Sequence, residues 1–179
     1  MIGHLQIIDF WFANKAKWFA KDPNFDLEIK EKFLAVFDLG ISGHLKHWEL
    51  NPSSMLALII VLDQFSRNMF RDSAKAFSAD ELACSLAKKA VQLGFDQLLD
   101  NDEQRKFLYM PFMHSESVAD QALSVALFSK MNDNETLKYA KAHQDIIDRF
   151  GRFPHRNQLL GRVSSTQELE FLKLPGTSF

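Results

Sequence analysis

Apolar residues in this chain recur at helical spacing, and one stretch is apolar on every side. Met55 to Leu62 is an unbroken apolar run inside a predicted helix over Ser53 to Arg71. A helix that is apolar all round packs between other helices rather than on a surface. If this helix is straight, Asp63, Arg67 and Arg71 share one of its faces. Charged groups on a buried helix are costly unless they are paired, so we expect other residues or a ligand to meet them.

The remaining pattern predicts further helices joined by short loops. Capping boxes of the Ser-x-x-Glu type at Ser78 to Glu81 and Ser165 to Glu168 predict two helix starts, and Ser115 is predicted to start a helix at Glu116. No segment shows a long alternation of apolar and polar residues, and no Asn-Gly or Asp-Gly hairpin turn occurs. The predicted fold is therefore all-α, a compact antiparallel array of about eight helices in a single domain over residues 1–179.

Arginine is distributed differently from lysine. The fourteen lysines are scattered, whereas the seven arginines lie near residues 63–71, 105–116 and 149–162. The last segment, FGRFPHRNQLLGR with the arginine before it, contains four arginines, no lysine and no acidic residue. Arginine binds carboxylate or phosphate through a planar fork and tolerates partial burial better than lysine. We therefore expect the three segments to share one polar region.

A small-molecule site is the first hypothesis for this region. Its arginines would bind a carboxylate or phosphate, and its histidines would move protons near neutral pH. The predicted acid–base residues are His114, Glu116 and His155. The predicted ligand-binding residues are Asp63, Arg67, Asn68, Gln121, His143, Arg152, Arg156 and Asn157. Glu116 is expected in the first turn of a helix, where the helix dipole favours its charged form.

Two other hypotheses fit the same residues. The polar cluster can be a structural ion-pair network in which Asp63 meets Arg67 and the arginines cap helix ends. The chain can also be a helical module that binds a protein or peptide partner on a concave surface. Whether the chain is an enzyme stays open at this point.

Composition narrows the remaining classes. A net charge of −2 and a pI near 6.3 give no electrostatic footprint for nucleic acid. The longest apolar run is far shorter than the roughly 20 residues that span a bilayer. A single cysteine, Cys84, rules out an internal disulfide framework and fits a cytoplasmic protein. Neither a HExxH motif nor a glycine-rich phosphate loop occurs, so we predict no metal and no cofactor.

Three strings carry a family resemblance: LDQFSRNMFRDSAKAFSAD, FLYMPFMHSE and HQDIIDRFGRFPHRNQLLGR, the last followed by SSTQE. With the early IIDFWF, they resemble the bacterial family catalogued as domain of unknown function 924, over nearly the whole chain. The resemblance implies an all-α fold similar to tetratricopeptide-type (TPR-like) helical repeats. It implies no activity and no catalytic residues.

Overall fold

The computed structural model describes residues 2–177, and every regular element within them is helical. The α-helices are α1 (His4–Ala13), α2 (Pro23–Ile41), α3 (Pro52–Ile59), α4 (Ser66–Met69), α5 (Asp80–Gln92), α6 (Asp102–His114), α7 (Val118–Phe128), α8 (Asn134–Phe150) and α9 (Thr166–Phe171). A π-helical segment (Ile60–Phe65) joins α3 to α4, so residues 52–69 form one continuous helix. With α3 and α4 counted as one, the nine α-helices of the described residues form eight continuous helices. The all-α prediction is confirmed, whereas the TPR-like comparison stays a prediction.

The chain divides into two compact units. Unit 1 comprises the described residues up to Arg71 together with Lys75–Pro111, and unit 2 comprises Asp72–Ala74 with the described residues from Phe112 onward. The boundary falls within α6, between Pro111 and Phe112. The single-domain interpretation of residues 1–179 stays a prediction.

Unit 1 is built around the continuous central helix. Helix α1 packs on α3, α2 packs on α4 and on the π-helical segment, and α5 packs on α3. Every residue from Ser54 to Ser66 is buried, as expected for a helix that is apolar on all sides. An aromatic cluster of Trp11, Phe25, Phe65 and Phe107 extends this core. Each such side chain contributes about 1.5 to 3 kcal/mol by leaving water.

The central helix is not regular throughout. Between Ile60 and Phe65 its hydrogen bonds follow the wider π pattern, and the helix ends at Met69. Each extra residue in a π turn rotates the following side chains relative to a regular α-helix. The expectation of one straight helix as far as Arg71 was therefore wrong.

Side-chain caps explain several helix starts and correct two predictions. The capping box at Ser165 and Glu168 is confirmed at the start of α9. The box predicted at Ser78 is wrong, because α5 has Ala79 as its N-cap and Ser78 Oγ donates to the Lys75 carbonyl oxygen. The cap predicted at Ser115 is also wrong, because Ser117 caps α7.

Unit 2 contains an antiparallel pair of helices and a C-terminal segment. Helix α7 packs against α8 across a link of only five residues. Gly151 ends α8 in the left-handed conformation, with φ of 69°, which favours glycine. Beyond it, Phe153 is fully buried and packs with Ile146 and Ile147 on α8. This packing holds residues 152–164, which carry four of the eleven predicted site residues, close to the end of α8.

Candidate functional site

Arg152 and Glu168 anchor the C-terminal segment of unit 2. Arg152 Nε and Nη2 donate to the two carboxylate oxygens of Glu168 at 2.7 and 2.8 Å. Asn157 Nδ2 donates to the same carboxylate at 3.3 Å, and the Ser165 backbone N–H donates to it at 2.7 Å. The hydrogen bond from Arg152 is the main reason that the pKa of Glu168 falls to about 2. The guanidinium fork of Arg152, which was predicted to bind a ligand, is used within the chain.

Glu116 has a comparable structural role. Arg162 Nη1 and Nη2 donate to its two carboxylate oxygens at 2.7 and 2.9 Å, and the Phe153 backbone N–H donates at 2.7 Å. Burial alone would raise the pKa of Glu116, but these bonds outweigh burial and lower it. Glu116 precedes the Ser117 cap of α7, so the prediction that it lies in the first turn of the helix was wrong. Arg162 also donates to Asn157 Oδ1 at 2.9 Å, which ties the two ion pairs together.

A cluster of basic side chains surrounds the buried ring of Phe153. The guanidinium carbon of Arg156 lies 4.5 Å from the ring centroid, and the rings of His143 and His155 lie 5.5 and 5.7 Å from it. The ring of His114 lies 6.3 Å from that of His143. His114 is the last residue of α6, not the start of a helix as predicted. We call His114, His143, His155 and Arg156 the basic cluster.

His143 is held as neutral imidazole in this cluster. Its Nδ1–H donates to the Tyr139 carbonyl oxygen at 2.8 Å, and only 4% of the residue is exposed. Burial is the main cause that lowers its pKa to about 3, and the charge of His114 is the next. Arg156 and His155 add smaller contributions in the same direction, against the opposing hydrogen bond to Tyr139. Protonation of His143 would therefore add an unfavourable positive charge to the basic cluster.

Gln121 closes the C-terminal end of α6 beside His114. Its Nε2 donates to the carbonyl oxygens of Met113 at 2.8 Å and Ser115 at 2.7 Å, which flank His114 in sequence. Helix C-termini leave such carbonyls without intrahelical donors, so this amide satisfies them. The same bonds determine the amide orientation, and Gln121 Oε1 is buried without a hydrogen-bond partner. Ser124 Oγ, one turn further along α7, is a second buried polar atom without one.

The remaining predicted residues lie in unit 1 and form their own ion pairs. Arg67 donates to both carboxylate oxygens of Asp80 at 3.0 Å and to the Asp63 carbonyl oxygen at 2.6 Å. Its Nη1 lies 3.4 Å from Asp63 Oδ1, and Asp63 is fully buried. Burial alone would lower the pKa of Arg67, but the two carboxylates raise it. The predicted pairing of Asp63 with Arg67 is confirmed, and Asp80 completes a triad.

Asp26 organises the second polar group of unit 1. It accepts from Asn68 Nδ2 at 2.7 Å and from Arg71 Nε and Nη2 at 2.6 and 2.8 Å. Arg71 thus pairs with α2 rather than with the Asp63 face of the central helix. Sequence spacing did not reveal this partner, because Asp26 and Arg71 are distant along the chain and meet only through the packing of α2.

The predicted site residues therefore divide into two groups, one in each unit. Unit 2 brings together Glu116, Arg152, Asn157 and the basic cluster, with Gln121 at its edge. Unit 1 contains Asp63, Arg67 and Asn68 with their carboxylate partners. The sequence analysis missed Arg162, Asp80 and Glu168 as partners, although the capping box at Glu168 marked that residue as structural. In residues 2–177 no three His, Cys, Asp or Glu side chains gather in a way that could hold a metal ion.

These features define an all-helical protein in which arginine–carboxylate pairs organise each unit and a partly buried basic cluster lies in unit 2. A family model described as bacterial protein of unknown function (DUF924) matches residues 7–176, and the chain belongs to this family. The solved structure of a protein of unknown function, ATU0120 from Agrobacterium tumefaciens, is similar at 38% identity with a TM-score of 0.90. The match covers 95% of this chain and 96% of that chain. The comparison with curated proteins returned no match.

The family resemblance drawn from the sequence is thereby confirmed. Over residues 2–177, no helix has both the length and the apolar character needed to cross a membrane.

Proposed function

We propose that this protein binds a small anionic molecule, through a carboxylate or phosphate group, at the basic cluster of unit 2. The observation that carries the proposal is that Arg156, His143 and His155 lie against the ring of Phe153, with His114 beside His143. Arg156 is only 6% exposed. Positive groups gathered in a partly buried place repel one another, and a bound anion offsets that repulsion.

The ion pairs of the other arginines narrow the choice of the residue that binds the anion. The forks of Arg152 and Arg162 are bonded to Glu168 and Glu116, and Arg67 is bonded to Asp80. Arg156 lies over the ring of Phe153, a common arrangement for guanidinium groups in ligand sites, and its charge also lowers the pKa of Glu116. We therefore assign anion binding to Arg156 and a supporting role to the other three arginines.

Gln121 and Ser124 add a second requirement for the ligand. Their buried oxygens accept hydrogen bonds, and the bonds made by Gln121 Nε2 prevent an amide flip from satisfying them internally. A molecule with a hydroxyl or amino group beside its anionic group would supply a donor. Among predicted acid–base residues, Glu116 is held as a carboxylate by Arg162, so any proton transfer here belongs to His114 or His155.

The test is a thermal-shift and calorimetric titration with inorganic phosphate and a panel of hydroxy- and aminocarboxylates, at constant ionic strength. We compare the wild type with Arg156→Lys, which keeps the charge and removes the fork, and with Arg156→Gln. Arg149→Gln is the matched control, because Arg149 is exposed and stacks only on Phe150 and Phe171 among the rings. At a concentration of about 100 times Kd, the ligand should stabilise the wild type by about 2.7 kcal/mol.

We expect a saturable rise in Tm for the wild type and for Arg149→Gln, and a reduced rise for both Arg156 variants. In parallel, the ring proton signals of His114 and His155 should shift in the wild-type NMR spectrum as the ligand binds. An equal response of all variants would indicate a general salt effect and refute the proposal. So would the lack of any response in the wild type.

A second candidate function is a TPR-like module that binds a protein or peptide, with the polar residues purely structural. It is favoured by the ion pairs of five arginines, Arg67, Arg71, Arg105, Arg152 and Arg162, with carboxylates of their own chain. Under this candidate, Arg156→Gln lowers stability and no anion raises the Tm of the wild type.

A further inference from the structure

Helix α2 exposes an apolar stripe on the face opposite its core residues. Phe25, Ile29 and Phe33 are buried on one side of the helix, whereas Leu27 is 55% exposed and Ile41 is 44% exposed on the other. Leu34 lies midway between these two and is partly exposed. A spacing of seven residues keeps side chains on nearly the same face of a helix, so the stripe is about 21 Å long.

The stripe lines a shallow depression with charged margins. The depression has a volume of about 510 Å³ and is lined by Leu27, Lys30, Glu31, Leu34, Ala35 and Asp38. Apolar residues repeated every seven positions form half of the pattern by which one helix packs along another, since a coiled-coil seam has two apolar positions in each heptad. Here charged residues lie beside the apolar ones. The length and shape of this face therefore suit a single helix as its occupant.

The order of the charges identifies which helix fits. Lys30 lies four residues before Leu34 and Asp38 lies four residues after it. When two copies of α2 pack antiparallel about a twofold axis at Leu34, Lys30 comes level with the partner's Asp38. Leu27 then comes level with the partner's Ile41. A parallel pairing would instead put Lys30 against Lys30 and Asp38 against Asp38, which is repulsive.

We infer that a second copy of this chain docks on α2, so that two copies of the stripe Leu27–Leu34–Ile41 pack antiparallel about a twofold axis. The interface is isologous, because the same patch serves both subunits. One helix pair of this length buries less than the about 1,200 Å² of a typical stable interface. The dimer is therefore weak, with Kd on the order of 100 μM.

Sedimentation equilibrium over a range of concentrations spanning that Kd tests the interface. Leu34→Glu puts two carboxylates together at the twofold axis, and we expect it to raise Kd at least about tenfold. Leu50→Glu is the matched control, because Leu50 is 78% exposed but lies outside α2, and its Kd should equal that of the wild type. Circular dichroism confirms that each variant is folded.

Charge reversal tests the antiparallel register. Lys30→Glu and Asp38→Lys should each weaken the dimer about three- to tenfold, since like charges then meet twice across the interface. The double variant restores opposite charges and should return Kd to within about twofold of the wild type. If the charges acted only through the net charge of each subunit, Lys30→Glu would change it from −2 to −4 and weaken the dimer, whereas Asp38→Lys would change it to 0 and strengthen it.

Cysteine cross-linking gives an independent measure of orientation. Under mild oxidation Leu34→Cys should form a covalent dimer and Leu27→Cys should not, because only position 34 faces itself across the axis. The native Cys84 is buried and present in both variants, so it contributes equally to any background cross-linking. A wild type that stays monomeric at all concentrations would overturn the inference. A dimer unaffected by Leu34→Glu, or one that cross-links through position 27 rather than 34, would do so as well.

Discussion

Acidification should destabilise this protein through one buried histidine. The pKa of His143 is lowered from 6.5 to about 3 in the folded protein, mainly by burial. Below pH 6.5 the unfolded chain takes up a proton on this residue and the folded chain does not, so the free energy of unfolding falls as pH falls. From about pH 7 to about pH 4.5 this difference removes about 2.5 kcal/mol. Below about pH 3 both states are protonated and the effect of His143 levels off.

The size of this effect depends little on the folded-state pKa, because at about pH 4.5 the folded imidazole remains neutral even if its pKa lies one unit higher. The assay is urea unfolding of the wild type and of His143→Asn at several pH values between these limits. Asparagine retains a donor for the Tyr139 carbonyl oxygen and removes the titrating ring. The variant starts from a lower stability, because it loses the contact with Phe153.

The comparison uses the slope of stability against pH rather than its absolute value. Contributions that the two proteins share are removed by taking the difference between their pH profiles. We expect the wild type to lose about 2 to 3 kcal/mol more than His143→Asn over this pH range. Parallel pH profiles for the two proteins would show that His143 is not held neutral by burial, and would refute the reasoning.

Two further predictions concern single contacts in each unit. Arg67→Met removes the cation beside the fully buried Asp63 and should lower the free energy of unfolding by about 3 to 5 kcal/mol in urea titrations. Adding Asp63→Asn should recover part of this loss. A loss below about 1 kcal/mol would contradict a buried charge at Asp63. Gly151→Ala forces a side chain into a left-handed conformation at φ of 69° and should cost about 1 to 2 kcal/mol. Gly151→Asn is its control and should cost less, because asparagine adopts the left-handed conformation more readily, so similar losses in both would exclude backbone strain as the cause.

The helices were predictable where local physical chemistry decides them. The apolar run Met55 to Leu62 can bury its surface on all sides only between other helices, and residues 54–66 are all buried. The start of α9 follows from a capping box that closes within four residues. Both features depend on neighbours in sequence, so no knowledge of the tertiary structure was needed.

Capping rules failed at two serines whose hydroxyl groups form other local hydrogen bonds. Ser78 has the pattern of a capping box, but its hydroxyl bonds to Lys75 and α5 begins after Ala79. Ser115 has the character of a cap, but its hydroxyl donates to Asp120 and Ser117 caps α7 instead. Ser115 and Ser117 compete for one cap and the sequence does not rank them, whereas the Ser78 hydroxyl bonds back to the preceding turn.

The sequence by itself determined the helical class, the family, the buried central rod, and the residue types that carry charge near its end. Only the tertiary structure decided which carboxylate each arginine meets. Arg71 pairs with Asp26 and Arg162 with Glu116, each more than forty residues away along the chain. Guanidinium groups bind any well-placed carboxylate, so their partners depend on how helices pack rather than on spacing. The same packing brings Arg156, His143 and His155 around Phe153, with His114 beside His143, and this is where we propose that the anion binds.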